Sequence, residues 1–137
     1  MLVGLSALSR EAVALLARAS GQGSDEAALR AAYGGGRVRL LGWVERGAVV
    51  ALVGYDVGGT RETVNIRAIA TSPSCERRGL GRRLLRAVQD ETLARRLVAE
   101  TDDDAVGFYA ACGFSIIPLG EVYPGVRRYR ASSTTVS

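Results

Sequence analysis

The chain has 137 residues, of which 47% are hydrophobic and 23% charged, a length and composition typical of one soluble globular domain. Two cysteines and no histidine exclude histidine-bearing zinc sites and Ser-His or Cys-His triads, and we expect no metal. No apolar run reaches the roughly 18 residues that cross a membrane, and the start lacks a secretion signal, so we expect a cytoplasmic protein without a membrane partner.

The first half of the chain is predicted to form two helices and then three strands. Apolar residues at helical spacing indicate a helix at 10–19. A second, short helix runs from 24 or 25 through 32 and ends at a run of glycines. Strands follow at 37–46, 48–57 and 60–71, and the last of these alternates apolar and polar residues. The first two strands are predicted to form a hairpin.

In the second half, helices and strands alternate. A helix is predicted at 80–92, a strand at 95–101, and a helix capped by the aspartates at 102–104. Two closing strands at 114–119 and 126–131 flank a Tyr-Pro-Gly turn.

This order of elements predicts a mixed α/β fold, with an α+β mixed sheet made of an antiparallel meander followed by a β-α-β crossover. We find no internal repeat and no linker, so we assign one domain to residues 1–131. Residues 132–137 are expected to form a flexible tail.

Residues 72–82, SPSCERRGLGR, lead from a predicted strand into the start of a predicted helix and contain two glycines and three arginines. A glycine costs about 1 kcal/mol inside a helix, so something should compensate. Glycines let a ligand approach the backbone amides, and the start of a helix adds unpaired N–H groups. The stretch can therefore bind an anion such as a pyrophosphate. By itself, however, this short pattern favours a tight turn with solvated arginines.

The arginines are concentrated near this turn. Seven lie between Glu76 and Arg96 against three acidic residues, so this segment has a net charge of +4, the same as the whole chain. Such a field attracts phosphate groups or nucleic acid. Nucleic acid is the weaker alternative because the arginines lack interleaved aromatic residues and no nucleic-acid motif is present.

Two segments, one strand apart, carry linked patterns. In IATSPSCERRGLGRRLL, a Thr-x-Pro precedes the Gly-x-Gly turn by a fixed spacing, and the matching residues are Thr71, Pro73, Gly79 and Gly81. In DDDAVGFYAACGF, the residues in register are Ala105, Phe108, Tyr109, Gly113 and Phe114. Together with the order of elements, these segments resemble the GNAT superfamily of acyl-CoA-dependent N-acetyltransferases over roughly residues 37–130.

The resemblance implies a GNAT-like domain in which two central strands splay apart in a V around coenzyme A. Turn amides would hold the pyrophosphate, and they belong to Arg77, Arg78, Gly79, Leu80, Gly81 and Arg82. The strand edge at Ile69, Ala70 and Thr71 would pair with the pantetheine arm, and a backbone N–H there would polarise the thioester carbonyl. Asp102 and Phe108 would complete the cofactor site.

The same resemblance implies an N-acetyltransferase that moves an acetyl group from acetyl-CoA to a primary amine of a small molecule or peptide by direct attack. Tyr109 would return a proton to the coenzyme A thiolate, since a tyrosine stays protonated at neutral pH. Without the family pattern, Tyr109 reads as a core aromatic residue.

The chain departs from the family pattern at three positions. Glu76 replaces a Gln or Arg, and Asp102 replaces an Asn. Arg67 stands where many relatives have a carboxylate that acts as the base. Because an arginine on an alternating strand near the reacting thioester is poorly placed for core packing, we predict that Arg67 binds a carboxylate or phosphate of the substrate. Glu62 and Glu100 are the candidate general bases, although either can equally be a surface charge, and a base can also act through water.

The acceptor stays open, because the acidic stretch at 100–104 favours a cationic amine whereas Arg67 favours an acidic one. The alternatives from other classes are a catalytically silent acyl-CoA-binding module and a basic nucleic-acid-binding domain. The oligomeric state is also open, with a homodimer as the prior expectation.

Overall fold

The computed structural model describes residues 1–6, 8–20, 25–33, 35–56 and 62–136. Four α-helices lie in these ranges, namely α1 (Arg10–Ser20), α2 (Glu26–Tyr33), α3 (Leu80–Thr92) and α4 (Val106–Ala111). The strands there are β1 (Leu2–Leu5), β2 (Val38–Glu45), β3 (Ala48–Asp56), β4 (Thr63–Thr71), β5 (Arg96–Asp102), β6 (Ser115–Tyr123) and β7 (Val126–Ser133). The predicted element ends at 24, 57 and 60 lie outside the described residues.

The strands form a mixed seven-stranded sheet in the order β1-β2-β3-β4-β5-β7-β6 within the described chain. Neighbouring strands are antiparallel except for β4 and β5, which are parallel and joined through α3. The predicted mixed α/β fold with a meander and a crossover is confirmed.

The parallel pair is short. Residues Thr63–Ile66 of β4 pair with Arg96–Ala99 of β5, and neither strand continues the ladder beyond that point. The carboxyl-terminal ends of β4 and β5 therefore separate, as expected for the V-shaped splay. This gap positions the candidate site.

Strand β4 carries a bulge at Arg67. Gly54 of β3 pairs with Ala68, but the next residue, Tyr55, pairs with Ile66, so Arg67 has no partner in the register. An extra residue shifts the alternation of side chains between the two faces of a sheet. Ile66 accordingly packs in the core beneath α3, whereas Ala68 packs in the core beneath α1 and α2.

The helices form layers on the two faces of the sheet. Contacts of α1 and α2 concentrate on β2, β3 and β4, and Leu16 and Leu52 are fully buried there. On the opposite face, α3 and α4 cover the larger core, where Leu84 and Leu85 are fully buried. None of the described helices is long and apolar enough to cross a membrane.

β1 was not predicted from the sequence, and both closing strands extend further than predicted. β1 has only four residues, too few for a period-2 pattern to stand out, and it forms by pairing with β2. β6 runs through Pro118 to Tyr123, because an edge strand tolerates proline and the pairing absorbs two register shifts.

The end of the chain also differs from the expected tail at 132–137. Ser132 and Ser133 end β7 and pair with β5. Val136 is buried, and the Gln89 side chain donates a hydrogen bond to the Thr134 carbonyl and accepts one from the Val136 amide. The domain thus extends beyond residue 131 to Val136, and Ser137 lies outside the described residues.

Candidate active site

The turn between β4 and α3 has an unusual backbone. After the short 3₁₀ segment at Pro73–Cys75, Arg77 and Gly79 adopt the left-handed conformation with φ of 65° and 76°. Gly79 is the residue before the first turn of α3, and no side chain caps that end of the helix. The first amides of α3 therefore have no capping partner, which suits them to bind an anion.

The two glycines of this turn have different roles. Gly79 needs its left-handed φ, and a Cβ built there meets no described atom within 4 Å. Gly81 instead lets α4 approach, since a Cβ at this position would lie 2.8 Å from the Phe108 ring. Both glycines line the cavity described below, and Gly81 has the additional role of permitting the approach of α4.

Two arginines predicted for the cofactor are already engaged with protein groups. Arg78 donates hydrogen bonds to both carboxylate oxygens of Glu45, and these bonds lower the pKa of Glu45 to about 2. Arg82 donates from Nη2 to the Ala111 carbonyl over 2.9 Å. Arg77 has no hydrogen-bond or ion-pair partner within the described chain. The turn is thus pinned by side chains and exposes mainly its backbone.

A cavity of about 850 Å³ fills the splay between β4 and β5. The residues that were predicted to bind the cofactor and that line it are Ile69, Ala70, Thr71, Arg77, Gly79, Leu80, Gly81, Arg82, Asp102 and Phe108. Arg78 alone of the predicted set is not part of the wall, because its side chain turns to Glu45. One cavity therefore brings together the strand edge and the turn.

Asp102 stabilises the backbone at the rim of this cavity. Its Oδ1 atom accepts hydrogen bonds from the amides of Asp104 and Ala105 at 3.0 and 3.1 Å. Asp102 therefore caps the turn that leads into α4, as an Asn at this position would also do. The replacement of the family's Asn by Asp102 therefore keeps this cap.

Arg18 is a residue of the cavity that the sequence analysis missed. From α1 it donates Nη1 to the Thr71 carbonyl at 3.1 Å and Nη2 to Glu76 Oε1 at 3.2 Å. Glu76, the departure from the family pattern, is thus the partner of Arg18. No sequence signal links these residues, because 58 positions separate Arg18 from Glu76.

Tyr109 lies in the hydrophobic core with 4% of its surface exposed. Its ring packs edge-on against those of Phe108 and Phe114, with centroids 5.2 Å apart in both pairs. Burial raises the pKa of Tyr109 above its usual value. Phe108 reaches the cavity wall, whereas Tyr109 stands behind it.

The two candidate bases lie in different places. Glu62 pairs with Arg95 at 3.7 Å and precedes Ile69 by seven residues, about 23 Å along an extended chain. This distance does not support Glu62 as the base. Glu100 follows Ala99, the last β5 residue paired with β4, and forms a 3.6 Å ion pair with Arg130. Glu100 therefore stands where the two strands begin to separate, and it does not line the cavity in the splay.

A family model described as the acetyltransferase (GNAT) family matches residues 11–114 of the chain. The chain belongs to the GNAT acetyltransferase family.

Solved structures share this GNAT fold at low sequence identity. An aminoglycoside 6'-N-acetyltransferase complexed with coenzyme A has a TM-score of 0.80 and 11% identity, with 100% of this chain and 98% of that chain covered. A GNAT acetyltransferase from Elizabethkingia anophelis with acetyl-CoA bound has a TM-score of 0.70 and 18% identity over 98% and 97%. The ribosomal-protein-S18-alanine N-acetyltransferase of Escherichia coli has a TM-score of 0.68 and 21% identity, with 100% of this chain and 96% of that chain covered. No protein of curated function matches the sequence.

Membership of the GNAT family confirms that the protein is an acetyltransferase. The basic segment offers less to nucleic acid than its charge suggested, because four of its seven arginines have protein partners among the described residues. Arg78, Arg82 and Arg95 have hydrogen-bond or ion-pair partners. Arg83 lies over the Trp43 ring. In the described part of this GNAT enzyme, no cluster of three or more His, Cys, Asp or Glu could hold a metal ion.

Proposed function

We propose that this GNAT enzyme transfers an acetyl group from acetyl-CoA to a primary amine of a small molecule or peptide by direct attack. The observation that carries this proposal is the cavity in the splay, which has an open strand edge on one wall and uncapped helix amides on another. A long, thin molecule with a pyrophosphate at one end and an amide-containing arm at the other matches both walls.

The residues present fit acetyl-CoA. The backbone from Arg77 to Arg82 would hold the pyrophosphate, with the Arg77 side chain as the available second contact. The β4 edge at Ile69–Thr71 would pair with the pantetheine arm, and one of its N–H groups would polarise the thioester carbonyl. Phe108 and Asp102 line the same cavity, and Asp102 stabilises the backbone at its rim.

When bound, acetyl-CoA supplies an acetyl group that is activated as a thioester. Tyr109 is the proposed donor of a proton to the leaving thiolate, and its raised pKa keeps the hydroxyl protonated at neutral pH. Glu100 is the proposed acceptor of the amine's proton, acting through water because its carboxylate is exposed. A cytoplasmic location and a homodimer stay predictions.

Titration calorimetry with acetyl-CoA and with coenzyme A tests the cradle in wild type, Gly79→Asn and Gly79→Asp. Asn and Asp have the same size, and both tolerate a left-handed φ, so they differ mainly in charge. We expect Gly79→Asn to bind within a few-fold of wild type. Gly79→Asp should bind about tenfold or more weakly, because it places a carboxylate beside the pyrophosphate.

Equal affinities of the two variants would show that the turn is not an anion cradle. An amine panel with detection of the released thiol then tests transfer itself. Release of coenzyme A that no amine accelerates would contradict transfer to an amine.

A further inference from the structure

A second cavity, of about 820 Å³, lies toward the amino-terminal end of β4. The end of α2, the beginning of β2, the end of β3 and the beginning of β4 surround it, and Tyr33, Asp56, Asn65 and Arg67 are among its lining residues. No described residue is shared between this cavity and the one in the splay. The function proposed above does not use it.

Arg67 presents a specific geometry to this second cavity. Its Nε–H donates to Asp56 Oδ1 at 2.7 Å, and its side chain is 60% exposed. A guanidinium has five N–H donors, and this contact takes only the one on its side. Within the described residues no acceptor bonds to Nη1 or Nη2. The planar end of the group is therefore available for two parallel hydrogen bonds to a carboxylate.

Asp56 holds the Arg67 guanidinium in one orientation and leaves Nη1 and Nη2 available for a ligand. It comes from β3, on the same face of the sheet as the bulge residue Arg67. The hydrogen bond from Arg67 to Asp56 and their opposite charges raise the pKa of Arg67, so the guanidinium stays charged. A long side chain that is held in one orientation loses less entropy when it binds a ligand.

The charge of the second cavity favours an anion. Among the described residues, the charged ones that line it are Arg37, Arg67 and Asp56, and Asp56 is already engaged by Arg67. Arg37 has no ion-pair partner in the described part of the chain. The residues outside the described ranges include no Asp or Glu, so their side chains add no carboxylate.

This second cavity also lies within reach of the proposed chemistry. Arg67 precedes Ile69 by two residues, which corresponds to about 7 Å along β4. Glu100 lies on the face of the sheet opposite α3, since its chain neighbour Ala99 packs beneath α3. Arg67 lies on the same face as Glu100, because it bonds to Asp56, whose chain neighbour Tyr55 packs beneath α3. A molecule anchored at Arg67 can therefore extend its amine toward the thioester site.

We propose that this second cavity is the acceptor pocket and that Arg67, positioned by Asp56, selects amines that also carry a carboxylate. This inference rests on the proposed function, because it assigns the acceptor of the same reaction. As acceptors, amino acids and peptides with a free carboxylate near the amine should bind more tightly than simple alkylamines and polyamines.

The test uses unbranched ω-amino acids of two to six carbons, each paired with the amide of the same compound. The members of a pair have the same amine and differ in the carboxylate. Their affinities are measured by calorimetry in the presence of coenzyme A, so turnover is not needed. For the best chain length we expect the acid to bind about tenfold more tightly than the amide, as a charge-assisted bidentate contact provides.

Arg67→Gln should abolish this preference while leaving the affinity for the amide unchanged. Arg67→Lys keeps the charge but loses the planar fork, so an intermediate preference is expected. Arg39→Gln is the matched control, because Arg39 is an exposed arginine of β2 that pairs with Glu91 and does not line the cavity. Arg39→Gln should show the same preference for the acid over the amide as wild type.

Two variants of Asp56 test its positioning role. Asp56→Asn keeps an oxygen that accepts from Arg67 Nε, so the preference for the acid should persist. Asp56→Ala removes that oxygen, and the preference should fall several-fold. In an Arg67→Gln background, Asp56→Ala should cause no further change in the preference, because Asp56 acts through Arg67.

The inference is overturned if wild type shows no preference at any chain length, or if the preference survives in Arg67→Gln. An unchanged preference in Asp56→Ala would remove Asp56 from the proposal and leave Arg67. Failure of the proposed function appears separately, as absence of acetyl-CoA binding in the Gly79 experiment, which does not involve the acceptor.

Discussion

The two ends of β4 are built in different ways. At the carboxyl-terminal end, one continuous stretch from Ile69 to Arg82 supplies a strand edge and a turn, and both present backbone groups. At the amino-terminal end, the second cavity takes its walls from α2, β2, β3 and β4 and presents side chains such as Arg67. The first design leaves a motif in the sequence, whereas the second does not.

This difference follows from what each kind of contact requires. A backbone cradle needs residues that permit a given φ or a close approach, and such residues must stand at fixed spacings. A side-chain pocket needs only that certain groups meet in space, so its residues can come from anywhere in the chain. The comparison predicts that the two ends of β4 respond differently to substitution.

The largest effect is expected for Tyr109→Phe, which should lower kcat roughly 100-fold because it removes the proposed proton donor. Its acetyl-CoA affinity should stay near that of wild type. Tyr55→Phe is the control, since Tyr55 is equally buried, donates its hydroxyl to Glu91 and lies outside the cavity. Steady-state kinetics of both variants decide the point. An unchanged kcat in Tyr109→Phe would make this residue a core aromatic only.

Gly81→Ala comes next and tests the close approach of α4. Its Cβ would press on the Phe108 ring, so we expect the free energy of unfolding to fall by about 1–3 kcal/mol. Gly107→Ala is the matched change, because a Cβ there meets nothing within 4 Å and Gly107 lies in α4. It should raise stability by about 0.5–1 kcal/mol. Urea unfolding measures both changes. Changes of the same sign in the free energy of unfolding would contradict this account.

A smaller effect is expected for Arg77→Gln. If the backbone carries most of the cradle, loss of this exposed side chain should weaken acetyl-CoA binding by no more than about fivefold. Calorimetry beside Gly79→Asp sharpens the contrast between backbone and side chain. A loss in Arg77→Gln larger than that in Gly79→Asp would mean that side chains dominate at this end too.

The smallest effect is expected for Glu45→Gln, which breaks the ion pair that pins Arg78. The pKa of Glu45 is about 2 in the folded protein against an ordinary value of 4.5. Its contribution to stability is therefore complete above about pH 4.5 and is lost as the pH falls toward 2. Thermal unfolding should separate wild type from the variant slightly at pH 6 and not at pH 2. A gap that widens on acidification would refute this assignment.

Much of the fold was predictable from the sequence. The helix at 80–92 has the observed bounds, because its apolar spacing is regular and a glycine precedes it. β1 was not predictable, since four residues gain their stability only from pairing with β2. The closing strands were predicted to end at 119 and 131, but β6 continues to Tyr123 and β7 to Ser133, because pairing with neighbouring strands extends both of them.

Within the candidate site, the sequence by itself determined the fold family, the acetyl-transfer reaction and the backbone turn around Gly79. The turn depends on local conformation, which neighbouring residues specify. The fold family and the reaction followed from the resemblance of two short motifs to the GNAT superfamily. Tertiary structure decided that Arg78 binds Glu45, that Arg18 engages Glu76, and that Arg67 faces a cavity beside Asp56. Each of these contacts joins residues from separate elements, so only the packing of helices and strands brings them within hydrogen-bond distance.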